Sequence, residues 1–237
     1  MRKRKENLTA EQKRLDTDLW IIVLATSLVL GIYFVFQNQI YTVSKNTNIH
    51  LLLRILILAF FQFGLAGLGI SIVLMNRKES FQSHGLRLKG ALPSIVLSVL
   101  CFIPYILFLI VTKQATDYLP FQAVWLTEEL LLSHFPVNMA GMLIVATAWG
   151  IFEGFNYVVI SDKLNQRYPS KNKWLNWGAI TCTIMCLFIH GIIGVTPEGF
   201  IEMITVIIII YGMLMVKELT GNAWGCIFIF IFLWNAF

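Results

Sequence analysis

Long apolar runs separated by short polar connections dominate this chain. Stretches of about 17 to 25 mostly apolar residues are long enough to cross a bilayer as helices. Seven such runs occur, at 19–36, 50–75, 92–112, 138–161, 174–194, 199–216 and 221–237. The segment 119–136 is a weaker eighth, expected to lie at the membrane interface. The pattern predicts an all-α fold, a polytopic transmembrane helical bundle of about seven spans. Residues 1–18 form a polar leader, expected as a short amphipathic or mobile cytoplasmic tail. Residues 19–75 are expected as two N-terminal transmembrane helices and 76–237 as the core that carries any chemistry. The first run ends in "FVFQNQ" without a small-residue cleavage site, which predicts an anchor rather than a removed signal.

Composition supports the membrane reading: 57% of residues are hydrophobic and 13% charged, far more apolar material than one soluble core uses. The 18 Lys and Arg against 13 Asp and Glu suggest at first an acidic partner, but their positions give another explanation. Arg2, Lys3, Arg4, Lys5, Lys13 and Arg14 precede the first run. Arg77, Lys78, Arg87 and Lys89 follow the second, and Lys163, Arg167, Lys171 and Lys173 follow the fourth. The alternate connections are poor in base, and 113–137 carries Asp117, Glu128 and Glu129. This asymmetry predicts a cytoplasmic N-terminus and, with seven spans, an outward C-terminus. The partner implied is the lipid bilayer, with no nucleic acid needed to account for the charge. Cys101, Cys182, Cys186 and Cys226 fall inside apolar runs without metal-like pairing, which reads as small buried packing residues.

Polar groups inside spans face the bundle interior and mark function more often than they do in water. Arg54 and Glu202 lie near span ends, where long side chains snorkel to headgroups. Gln62 and Asn222 read as interhelical hydrogen-bonding residues, and His50, His84 and His134 as loop residues needing no special account. Glu153, His190 and Asn235 stand apart: each is deep, each is on a different predicted helix, and together they supply a carboxyl, an imidazole and an amide. A Glu with a neutral His can hold and deprotonate a water, and an Asn amide can donate to a developing oxyanion. The same residues also read as a buried hydrogen bond that only locks two helices. Asn156 and Tyr157, three and four residues past Glu153, share its face, and Trp149 lies one turn before it. Ala146, Gly150 and Gly154 form a stripe of small residues that lets another helix approach closely. Placing Glu153 at the level of His190 requires its helix to continue through "SDKLNQRY". The pair Glu128 and Glu129 in "TEELLLSHF" reads as solvated charge.

Three short motifs at these residues resemble those of the CPBP family, the CAAX-processing and bacteriocin-immunity (ABI) intramembrane proteases. Glu153 in "EGFNYV" matches the first glutamate of the family's EExxxR, His190 in "CLFIH" the histidine of FxxxH, and Asn235 in "IFLWN" the last residue of its third motif. The run "ESFQSHGLRLKG" is similar to the loop before the family's core helices, and "TGNAWG" to the opening of its last helix. The resemblance covers residues 76–237 as a CPBP-like intramembrane protease core, and it implies the plasma membrane of a prokaryote. It also implies an endopeptidase cleaving a membrane-associated peptide or protein, with Glu153 as general base, His190 as its partner and Asn235 as oxyanion donor. Trp149, Asn156 and Tyr157 would support the site or bind substrate. Gly154, Val158 and Ile231 replace the family's second Glu, its Arg and its motif-three His. That departure leaves open a catalytically retired member acting as a peptide-binding, immunity or scaffold protein. One Glu, one His and one amide are too few for a tight zinc site, and no HExxH is present, so neither metal nor cofactor is expected. A transporter is disfavoured, because no inverted repeat is visible.

Overall fold

The computed structural model describes residues 8–114 and 117–237; the leading basic residues Arg2, Lys3, Arg4 and Lys5 lie outside the described residues. Within that range the chain is helical throughout, without strands among the described residues. Helix α1, Ala10–Lys45, opens on a capping box in which Thr9 and Gln12 satisfy each other's backbone N–H, a pairing that fixes the first turn. It runs through residue 18 without a break, so residues 10–18 belong to the first helix rather than to a separate tail. Two helices follow, α2 (Leu51–Ala66) and α3 (Leu68–Arg77), bent by 56° at Gly67. Then come a 3₁₀ turn at Phe81–His84, α4 (Ala91–Val111), a short α5 (Thr127–Leu132) and α6 (Val137–Val145). A π-helical stretch, Ala146–Phe152, leads directly into α7 (Glu153–Arg167). The chain closes with α8 (Trp177–His190), α9 (Pro197–Thr220) and α10 (Trp224–Phe232).

Four of these elements are long and apolar enough to cross a membrane: α1, α4, the continuous Val137–Arg167 and α9. The bent α2–α3 pair makes a fifth if counted as one span. The expected seven spans are therefore reduced to four or five by length. The runs at 174–194 and 221–237 yield helices of only 14 and 9 residues, because Gly191 and Leu233 end them early. At Gly191 the backbone turns left-handed, with φ +66°, a conformation that suits glycine. The expected interfacial segment 119–136 holds only the six-residue α5. Its apolar residues Phe121, Val124, Leu126 and Leu130 are buried against Ile40, Ile55 and Leu58.

Helix α7 runs antiparallel to α8 at close range. Ser161 faces Gly178, where an added Cβ would fall 2.5 Å from the Ser161 Cα, and Cys182 Sγ lies 3.6 Å from the Tyr157 carbonyl. Helix α10 crosses the other side, with Ile227 against Gly154 and Ile231 against Gly150. The small-residue stripe thus does admit a partner helix, and that partner is α10. These three helices and α9 surround the main apolar core, which includes Phe155, Val158, Ile209, Met213 and Phe230.

Candidate functional site

Helix α7 begins at Glu153, at the exit of the π-helical stretch. Turns of this kind occur mostly as single insertions at functional positions. The helix continues to Arg167, so "SDKLNQR" extends it as the depth argument requires. Glu153 is half-buried, and its carboxyl Oε2 accepts a hydrogen bond from Gln62 Nε2 at 2.8 Å. Gln62, on α2, is thus the partner that Glu153 has taken. The expectation for Gln62 as an interhelical hydrogen-bonding residue was right in kind, but its partner could not be named from the sequence.

The contacts between α7 and α8 set the level of His190. With Tyr157 opposite Cys182 and Ser161 opposite Gly178, one turn further places Cys186 at the level of Glu153, and His190 follows one turn later on α8. His190 therefore stands about one turn, roughly 5.4 Å of rise, beyond the carboxyl. It is exposed on the bare bundle, with its ring 5.4 Å from that of Trp234 in an edge-on contact. Asn235 lies past the end of α10, four residues beyond the Ile231 that packs on Gly150. Its backbone oxygen accepts from the Ala123 N–H at 3.2 Å, and its buried Nδ2 has no hydrogen-bond partner. Among the described residues no hydrogen bond joins any two of Glu153, His190 and Asn235.

The supporting residues divide in the same way. Trp149 lines a cleft of about 280 Å³, open on one side, together with Tyr33, Phe61, Gln62, Ala123 and Trp125. Tyr157 is buried and stacks on Phe230 at 5.3 Å, and Asn156 is half-buried and makes no side-chain hydrogen bond among the described residues. Gly154 has a plain steric reason to lack a side chain: its Cβ would fall 3.0 Å from Ile227 Cα and 3.1 Å from the Cys226 carbonyl. A second glutamate at that position has no room while α10 packs this closely.

A second polar constellation lies at the opposite end of the bundle, and sequence reasoning missed it. Lys163, fully buried, places Nζ 2.7 and 2.8 Å from the two Glu79 oxygens and 3.1 Å from Asp18 Oδ2. Arg77 donates to Asp18 Oδ1 at 2.7 Å, and Arg167 to Asp16 at 2.6 Å. His84, also buried, sits between Asp162 (Nδ1 to Oδ2, 2.9 Å) and Glu79 (Nε2 to Oε2, 3.0 Å). Lys217 bonds the other oxygen of Asp162. Burial pushes the Glu79 carboxyl up, but the Lys163 and His84 contacts outweigh it and hold its pKa below the ordinary value. His84, assigned to a loop with nothing to explain, is a bridge between the 3₁₀ turn and α7. The basic residues Arg77, Lys163 and Arg167, taken as loop charges, are each paired with a carboxylate, Lys163 fully buried and the two arginines partly exposed.

Three further expectations change. Arg54 does not snorkel: it is buried, donates from Nε to the Ser44 carbonyl at 3.0 Å and clamps Glu129 with both terminal nitrogens. Glu129 keeps solvent access but serves as that clamp's acceptor rather than as a free solvated charge. Asn222 is buried and binds the Arg87 and Lys89 carbonyls at 2.7 and 3.1 Å, which ties the 85–90 loop to the α9–α10 turn.

Among the described residues no three or more His, Cys, Asp or Glu converge in a way that could hold a metal ion. No family model matches the chain, and no curated protein or solved structure matches it either.

Proposed function

We propose that this chain is an integral membrane protein that holds a peptide segment of a membrane-associated partner in the cleft beside Gln62. It lies in the plasma membrane of a prokaryote with its N-terminus in the cytoplasm. The observation that carries the reading is the hydrogen bond between Gln62 and Glu153 at the edge of an aromatic-lined cleft. A half-buried acid with a neutral partner on a neighbouring helix is costly in a membrane, and its retention beside an open cleft favours a binding role. In this reading the chain is a CPBP-like protein without turnover, consistent with Gly154, Val158 and Ile231 at the family's other motif positions. Ile231, in the place of a histidine, packs on Gly150 and presents no polar group to the cleft.

A second reading is the CPBP-type intramembrane endopeptidase, in which water held by Glu153 and His190 attacks the peptide. It is favoured by the position of His190 one turn beyond Glu153 on a contacting helix, since catalytic contacts in ligand-free structures are often long. Purified full-length protein, incubated with membrane-associated peptides and followed by mass spectrometry, separates the two. The binding reading expects peptide retention without fragments from wild type. Fragments that vanish in both Glu153→Gln and His190→Ala would establish the endopeptidase instead.

A further inference from the structure

We infer that the cleft selects a primary ammonium, the side chain of a lysine on the bound peptide; this rests on the peptide-binding reading above. Four aromatic residues, Tyr33, Phe61, Trp125 and Trp149, line the cleft. Aromatic faces carry negative quadrupole density and attract cations within about 6 Å, Trp most strongly. The cleft's outer neighbourhood already shows this preference: the Lys45 ammonium, which does not line the cleft, lies 6.0 Å from the Trp125 ring centre and 5.9 Å from that of Tyr41.

The polar lining decides which kind of cation fits. In the structure the Gln62 amide turns Nε2 toward Glu153 Oε2 at 2.8 Å. That orientation leaves Gln62 Oε1, an acceptor, without a partner among the described residues. It calls for an N–H or O–H from a ligand. A quaternary ammonium offers none, and an alcohol or amide offers one without charge.

Glu153 supplies the preference for charge. Among the described residues no lysine, arginine or histidine bonds its carboxyl, whereas Asp16, Asp18, Glu79, Glu129 and Asp162 each have a lysine or arginine partner. An incoming ammonium on Gln62 Oε1 would stand one hydrogen-bonded link from that carboxyl. It would supply the counter-charge the chain itself does not provide. The volume of about 280 Å³ has room for an extended lysine side chain.

The test uses full-length protein in detergent and two probes, acetyl-Leu-Lys-Leu-amide and the same peptide with norleucine for lysine, with affinities from isothermal titration. The lysine peptide is expected to bind at least tenfold more tightly, with n-butylammonium competing and tetramethylammonium competing weakly. Glu153→Gln, which keeps an acceptor for Gln62, and Gln62→Leu should each reduce the preference below threefold. Trp149→Leu should weaken the lysine peptide more than the norleucine peptide, and a thermal melt of each variant confirms that it is folded. Equal binding of the two peptides, or an undiminished lysine preference in folded Glu153→Gln, overturns the ammonium assignment while the peptide-binding reading stands. Binding of neither peptide overturns both.

Discussion

The two polar regions of this molecule solve the cost of buried charge in opposite ways. At one end, Asp18, Glu79, Asp162, Lys163 and Lys217 neutralise one another, with the His84 ring bridging Glu79 and Asp162, across five chain segments. About 15 residues along α1, hence roughly 22 Å away, Tyr33 marks the level of the aromatic cleft, where Glu153 has an amide and, among the described residues, no cation. In the first region each carboxylate has a lysine or arginine partner among the described residues. The second has an unmatched acid, an unpartnered amide oxygen and an open cleft beside them. A ligand has something to add only in the second, which is why the binding proposal is placed there and the network is assigned to holding helices together.

The largest effect that would sharpen this contrast is expected at Lys163. Its ammonium is fully buried and contacts both Glu79 and Asp18, and Asp18 is itself fully buried. Lys163→Met should therefore strand buried negative charge, at a cost of about 3–5 kcal/mol. Chemical denaturation in detergent, followed by circular dichroism, measures it. A loss under about 1 kcal/mol would show that the network is not the structural element described here.

The next effect belongs to the other region. Gly154→Ala forces a Cβ against the backbone of α10 at Ile227 and Cys226, and backbone cannot rotate aside as a side chain can. Overpacking of this kind costs about 1–3 kcal/mol, and the same chemical denaturation experiment reads it. Because Glu153 is the adjacent residue, peptide affinity should fall along with stability. An unchanged affinity would mean that the cleft does not depend on how closely α10 approaches.

What the sequence made legible follows from which signals are local. Apolar length predicted helices at every span, and the spacing of Ala146, Gly150 and Gly154 predicted a close helix contact, because both depend on one segment at a time. The span count fell short where Gly191 and Leu233 end helices inside apolar runs, since hydropathy does not record where a helix stops. Glu153 stood out because an acid in an apolar run is conspicuous. Its partner did not, because Gln62 lies 91 residues earlier and pairing at that distance leaves no trace in composition. The ionic network was hidden for the opposite reason: Glu79, His84, Asp162 and Lys163 lie in polar stretches, where charge passes for solvated loop.

A smaller effect concerns pH and the first region. The folded pKa of Glu79 is lowered from an ordinary value near 4.5, against its burial, by Lys163 and His84. A depressed carboxyl stabilises the fold at pH above that ordinary value, and the contribution disappears as pH falls through the lower folded value. Stability should thus be level near neutrality on this account and decline on the acid side below about 4.5. In Glu79→Gln that part of the acid limb should flatten. Melting temperatures between pH 3 and 7 for the two proteins test it, and parallel curves would remove Glu79 from the explanation.

The smallest effect is the one that separates the two regions most sharply. Glu153→Gln replaces a carboxyl by an amide of nearly the same shape, and the new side-chain oxygen can accept the Gln62 hydrogen bond at 2.8 Å as the old one does. A hydrogen bond between neutral groups contributes about 0.5–1.5 kcal/mol, and the substitution keeps it. No cation is left behind, because none among the described residues bonds Glu153. Stability should therefore change by less than about 1 kcal/mol, in either direction, although the chemical change resembles one that would be severe in the ionic network. A loss of several kcal/mol in denaturation would show that Glu153 neutralises a positive group in the fold. It would then belong with Asp18 and Glu79, as a charge needed for the structure itself, and its place beside the cleft would no longer argue for a ligand.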